Sequence, residues 1–230
     1  MTPEELRERF AAGATREQFA ASLPDGGRRI AELEALVDLD PKPSAFARVP
    51  GELNVVAILE GWCRDSKDGS AVLLRLVGDN PNIHVRFFPR AEHPDLMAAY
   101  RKDGRFDSIP VFVFLDGHFN EIGRYVERPD EVTTIYQWHR DELARRDQSF
   151  APAGTPAGRF DEPVRERLRA AMDELRERDR PQANARIAAA LETIAEHAAA
   201  GTRQPPTAAE TPAPQDGTEP EDGEACAIEW

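Results

Sequence analysis

Cysteine is nearly absent from this chain: Cys63 and Cys226 are the two in 230 residues. They lie far apart, which excludes a disulfide framework and fits a reducing compartment. Lysine is almost as scarce, at Lys42, Lys67 and Lys102, so the positive charge is nearly all arginine. We read that as coding bias. No apolar run approaches the length of a membrane span. Residues 1–13 are charged and helical in pattern, without the apolar core of a signal peptide. The expectation is a cytoplasmic chain with no membrane contact. A positive excess is missing too: the net charge of −13 argues against nucleic acid or an anionic membrane as the main partner.

Other absences narrow the chemistry. There are no internal repeats. Asp25-Gly26-Gly27-Arg28 lacks both the preceding strand and the Lys-Ser/Thr of a phosphate-binding loop. His84, His93, His118, His139 and His197 are scattered without metal-ligand spacing. Glu60, Asp65 and Asp68 fit a solvated helix start better than a metal cluster. No metal and no cofactor is expected.

What is there is ordinary soluble-protein composition, 40% apolar and 31% charged, with length enough for one domain and appendages. Residues 1–50 read as an N-terminal helical extension. Thr2 caps a helix with Pro3 in its first turn; Phe10, Phe19, Leu23, Ile30, Leu33, Leu36 and Val37 supply apolar anchors. Residues 51–148 alternate: strands at 53–59, 83–88, 111–115 and 121–126, and helices at about 64–77, 94–102 and 129–146. The βαβ half implies a parallel pair; the last two strands, joined by Asp116-Gly117-His118, imply a hairpin. The fold class is α/β, a small mixed four-stranded sheet with flanking helices.

Residues 149–162 are rich in Ala, Pro and Gly and read as a linker. Residues 163–200 read as two helices, started by Pro163 and Pro181. One carries a thin stripe of Leu168, Met172 and Leu175, the other of Ile187, Leu191 and Ile194. Two marginal helices rarely stand alone, so pairing between chains, a homo-oligomer through 163–200, is one expectation. The dense mixed charge of 161–180 fits an exposed helix face. Residues 201–230 form an acidic, Pro- and Thr-rich tail, expected to be disordered.

The chemistry centres on Glu60-Gly61-Trp62-Cys63-Arg64-Asp65-Ser66. Cys63 falls where the first strand hands over to a helix, near that helix's positive end, which favours thiolate. Thiolate is the form that attacks disulfides. Ser66 holds the position of a second cysteine in a redox pair. Arg64 adds positive charge and Asp65 negative, with no net sign legible. The alternative for Cys63 is a buried, inert residue packing as a small hydrophobe.

The strand and helix order, with Trp62-Cys63 at the first junction and Ile109-Pro110 opening the third strand, resembles the thioredoxin superfamily. It is most similar to a bacterial branch with Trp-Cys-x-Asp-Cys, which also carries segments like Arg90-Ala91-Glu92-His93-Pro94 and Gly123-Arg124-Tyr125-Val126-Glu127-Arg128-Pro129. The likeness covers roughly residues 1–147. It implies a cis peptide before Pro110, facing the reactive thiol. It also implies a substrate groove lined by Trp62, Ile109 and Pro110. Two positions depart from it. Ser66 replaces the second cysteine, and Ala57 stands where thioredoxin has a buried Asp that serves that cysteine. The departures agree with each other.

Two functions follow. One is a thiol–disulfide oxidoreductase using Cys63 alone, with Ser66 as a hydrogen-bond donor to it. Its substrates are protein thiols and disulfides or mixed disulfides with a low-molecular-weight thiol. The other is a binding module that keeps the groove without turnover. Cys226 sits in the tail, in Glu224-Ala225-Cys226-Ala227-Ile228. About 25 flexible residues span about 25–30 Å, so it could resolve adducts on Cys63 as a tethered thiol. Otherwise it is incidental.

Overall fold

Burial along the strands shows which of them lie at the centre of the sheet. β1 (Leu53–Leu59) is buried along its whole length, as a central strand covered on both faces must be. It pairs in parallel with β2 (Ile83–Pro89) and antiparallel with β3 (Val111–Asp116). β3 turns back into β4 (Glu121–Val126), giving the order β2-β1-β3-β4. The expected mixed four-stranded sheet is present. The structure, a computed structural model, describes residues 1–38 and 43–205.

Alternate side chains feed two cores. Val55, Ala57 and Leu59 of β1 join Phe112 and Phe114 of β3 on one face. Val56 and Ile58 join Val111, Val113 and Leu115 on the other. The second face is covered by Leu6 and Phe10 of α1 (Pro3–Ala12) and by Leu96 and Met97 of α5 (Pro94–Ala99). The first is covered by α4 (Arg64–Val77) and α6 (Asp130–Arg146), with α2 (Arg16–Ser22) and α3 (Arg28–Ala35) of the N-terminal extension.

The extension begins as its sequence dictates. Thr2 and Glu5 bond reciprocally in a capping box, and so do Thr15 and Gln18. Between the helices, Ala14 exchanges backbone hydrogen bonds with Phe87, at 3.1 and 2.9 Å. Gly13 has to be small there, because a Cβ would stand 2.4 Å from the Phe88 ring.

The C-terminal part differs most from expectation. Residues 163–200 are one helix, α7 (Glu162–Ala200), with Pro181 inside it. An interior proline cannot donate to the carbonyl four residues back and costs about 3 kcal/mol. Burial of Ile187, Leu191 and Ile194 in the main core contributes about 1.5–3 kcal/mol each, which outweighs that cost. The first stripe is also buried within the chain: Leu168, Met172 and Leu175 pack on Leu143 and Phe150. Within the expected linker, residues Gln148–Phe150 and Ala157–Arg159 form 3-10 turns, and Arg140 donates to the Ala153 and Thr155 carbonyls at 2.8 and 2.7 Å.

Two smaller corrections concern ends. α5 stops at Ala99 instead of running to 102. The chain then reverses through Asp103 and Gly104, both at positive φ, and Lys102 pairs with Phe106. Beyond Gly201, the left-handed cap of α7, Gln204 lies along β4. Its N–H donates to the Ile122 carbonyl at 2.7 Å, and its side-chain oxygen accepts the Arg124 N–H at 3.2 Å. Cys226 lies outside the described residues, as does all of 206–230.

Candidate active site around Cys63

The C-terminal end of β1 is stitched to β2 before the chain reaches the cysteine. The Arg90 N–H donates to the Leu59 carbonyl at 2.9 Å, and the Glu60 carboxylate accepts the Ala91 N–H at 2.8 Å. Gly61 follows, pressed on the N-terminal extension: a Cβ there would stand 2.2 Å from Leu23 Cδ2. The Cys63 N–H then closes a turn on the Glu60 carbonyl at 3.1 Å. Cys63 is the N-cap residue of α4, with φ −72° and ψ 127°, and its carbonyl accepts the Lys67 N–H at 3.2 Å.

The thiol residue is more covered than the sequence suggests. Cys63 is 8% exposed and belongs to the apolar cluster of Ile58, Leu96, Met97 and Ile109. Its neighbour Trp62 is 50% exposed. The Arg90 guanidinium lies 5.7 Å from the centre of the Trp62 ring and donates to the Asp107 carbonyl at 2.8 Å. Arg90 therefore ties the exposed indole to the segment that leads into Ile109-Pro110.

That bond is cis, as the resemblance implies. Ile109 is buried in the same cluster as Cys63. The Pro110 carbonyl accepts the Glu127 N–H at 2.7 Å, and its ring lies against α4 at Gly69, where a Cβ would stand 3.2 Å away. Ser66 is 2% exposed, with its hydroxyl 3.5 Å from the Glu60 N–H, a long contact. Trp62, Cys63, Ser66, Ile109 and Pro110 thus gather at one end of the sheet.

Asp65 is not the solvated group expected at a helix start. Arg128 and Arg176 both bond its carboxylate. Burial pushes this carboxyl up, but the two guanidiniums outweigh burial and hold it below the ordinary value. Asp68 is engaged in the same way, by Arg176 at 3.2 Å and Arg180 at 2.6 Å. Arg64 pairs with Asp173 at 2.7 Å. Arg176 also lies 4.2 Å from the centre of the Tyr136 ring, whose hydroxyl burial pushes up to about 12.

Sequence reasoning missed Arg90, Arg128, Arg176 and Arg180. Arg90 and Arg128 lie in the two segments that carry the resemblance, so a signal existed for them. For Arg176 and Arg180 the signal was weaker: with Asp173 they share one side of α7, facing α4. Among the described residues, no group of His, Cys, Asp and Glu is placed to hold a metal ion, and no helix is long and apolar enough to cross a membrane.

Two solved structures are similar in part. An HIV epitope-scaffold shares 26% identity at a TM-score of 0.45, over 55% of this chain and 79% of that one. A protein of unknown function from Pseudomonas aeruginosa shares 21% identity at a TM-score of 0.47, over 74% of this chain and 93% of that one. No curated protein matches. A thioredoxin family model matches residues 13–144. That span takes in the N-terminal bridge to β2, the whole sheet, Cys63 and the cis-proline, and the chain belongs to the thioredoxin family.

Proposed function

We propose that the protein catalyses thiol–disulfide exchange with Cys63 as its one reacting thiol, in the reducing setting of the cytoplasm. One observation carries this reading: Cys63 caps α4 in the same cluster as Ile109 of the cis Ile109–Pro110 bond, beside the exposed ring of Trp62. The helix start favours the thiolate. The thiolate attacks one sulfur of a mixed disulfide between a protein and a small thiol. A new S–S bond joins Cys63 to that sulfur, and the other sulfur leaves as thiolate and takes a proton from water. Ser66 has no sulfur to displace the adduct, so a thiol from elsewhere must do so. Cys226 is our candidate within the chain: its thiolate attacks the Cys63 sulfur, the bound group leaves as thiolate, and the Cys63–Cys226 disulfide that forms is reduced by two equivalents of a low-molecular-weight thiol, which end as their own disulfide and free both cysteines.

The test compares wild type with Cys63→Ser in reducing a small-thiol mixed disulfide. Activity lost in the variant supports the reading. Peptide mapping of an oxidised sample should show a Cys63–Cys226 link if Cys226 resolves adducts. A second reading, a groove that binds without turnover, draws on the low exposure of Cys63 and the paired departures at Ala57 and Ser66. Equal inactivity of both proteins favours it.

A further inference from the structure

We propose that Arg176 is a positioning residue for the Cys63 thiol, and that α7 is through it a working part of the site: it anchors the first turns of α4 and cancels the carboxylate of Asp65, two residues from the sulfur. This rests on Cys63 being the reacting thiol. The geometry is a ladder between two helices. Asp173, Arg176 and Arg180 of α7 engage Arg64, Asp65 and Asp68 of α4 in register. Arg176 is 5% exposed and cannot swing away, because the Tyr136 ring backs it at 4.2 Å.

The consequence is electrostatic. The helix start that favours the Cys63 thiolate carries a carboxylate in its own first turn. A buried carboxylate in the same helical turn opposes a second negative charge, because screening by water is weak in the interior. The other titratable and charged groups on the elements that meet around the site are Arg64 and Lys67 on α4, Glu60 in the preceding turn, Arg90 after β2, His93 and Asp95 at the start of α5, Glu127 and Arg128 after β4, and Asp173 on α7. Glu60 accepts the Ala91 N–H, Arg90 faces Trp62, Arg64 pairs with Asp173, and Arg128 also contacts Glu127 at 3.1 Å. Arg176 is the α7 cation that contacts both Asp65 and Asp68, so its loss shifts the balance at α4's first turn towards negative charge.

The experiment measures the pH dependence of Cys63 alkylation by iodoacetamide in the full-length chain, read on the Cys63 peptide by mass spectrometry. Arg176→Gln should move the midpoint up and slow alkylation at neutral pH roughly tenfold. Asp65→Asn should move the midpoint down. The double variant should return close to wild type. Opposite signs are the signature, because a role in packing alone would loosen the site in both variants and move both the same way. Shifts of one sign, or none, overturn the proposal. If circular dichroism shows Arg176→Gln unfolded, Asp65→Asn and the double variant carry the test, and equal midpoints in those two overturn it. A Cys63 that stays unreactive up to about pH 10 overturns both this inference and the proposed function. Opposite shifts in a protein without turnover uphold the inference and remove only the function; unmoved midpoints in an active protein do the reverse.

Discussion

Gly69 of α4 lies directly against the ring of Pro110: a Cβ at residue 69 would stand 3.2 Å from Pro110 Cγ, and 3.3 and 3.4 Å from two carbons of the Phe112 ring. A mid-helix glycine costs about 0.8–1 kcal/mol against alanine, and here it allows α4 to lie close against the cis-proline. Gly69→Val drives two methyl groups into that contact. It should lower stability by about 1–3 kcal/mol in urea unfolding and slow Cys63 alkylation, since the helix start moves away from Pro110. Unchanged stability and rate would show that the contact does not set the site's geometry.

Ser66 stands one helical turn from Cys63, where a second thiol would complete a pair. In Ser66→Cys the introduced thiol should form a disulfide with Cys63 on mild oxidation, and the variant should reduce insulin faster than wild type. Peptide mapping reads the first and a turbidity assay the second. A variant that stays dithiol under oxidant would mean that this turn holds the two sulfurs too far apart or at the wrong angle.

The packing of α7 makes its own forecast. Leu191 is fully buried in the main core, so Leu191→Ala should cost about 2–5 kcal/mol. The loss should be the same at low and high protein concentration. A concentration-dependent loss would instead place this stripe between two chains, as its thinness first suggested.

Acid should release α7 from its neighbours. Hydrogen bonding from Arg178 lowers the Asp179 carboxyl; burial works the other way, and the His139 ring, 2.7 Å away, lowers it further, to about 2. Asp65 is also held below its ordinary value. Both groups have folded values below their unfolded ones. The Asp179 contribution is therefore complete above about pH 5 and fades as pH falls towards 2, and the Asp65 contribution is likewise lost as acid protonates its carboxylate. The urea midpoint should drop across that window, and Asp179→Asn should flatten the drop. A midpoint that is flat between about pH 5 and 2 would rule these carboxylates out as ties.

The fold was legible because each strand is a short β-branched or aromatic run bounded by turn residues. β1 and β4 end where the sequence places them, and so does α4. The cap at Thr2 was legible for local reasons, and the cis bond before Pro110 through the family resemblance. The role of α7 was not. Its apolar stripes are thin because Arg176 and Arg180 share the buried side, and an arginine is buried only when partners satisfy it. Helical spacing marks a face; it does not say that Asp65 and Asp68 wait opposite. The cover over Cys63 was hidden for the same reason, since Leu96, Met97 and Ile109 come from distant segments.

Ala14 on β2 and Gln204 beside β4 have a consequence for any guest chain. The protein seats its own backbone against each outer strand at one point, Phe87 of β2 and Ile122 of β4, which interrupts the row of amides that a visitor would extend. Under the proposed function, a peptide substrate would dock instead at the end of the molecule where Trp62 stands.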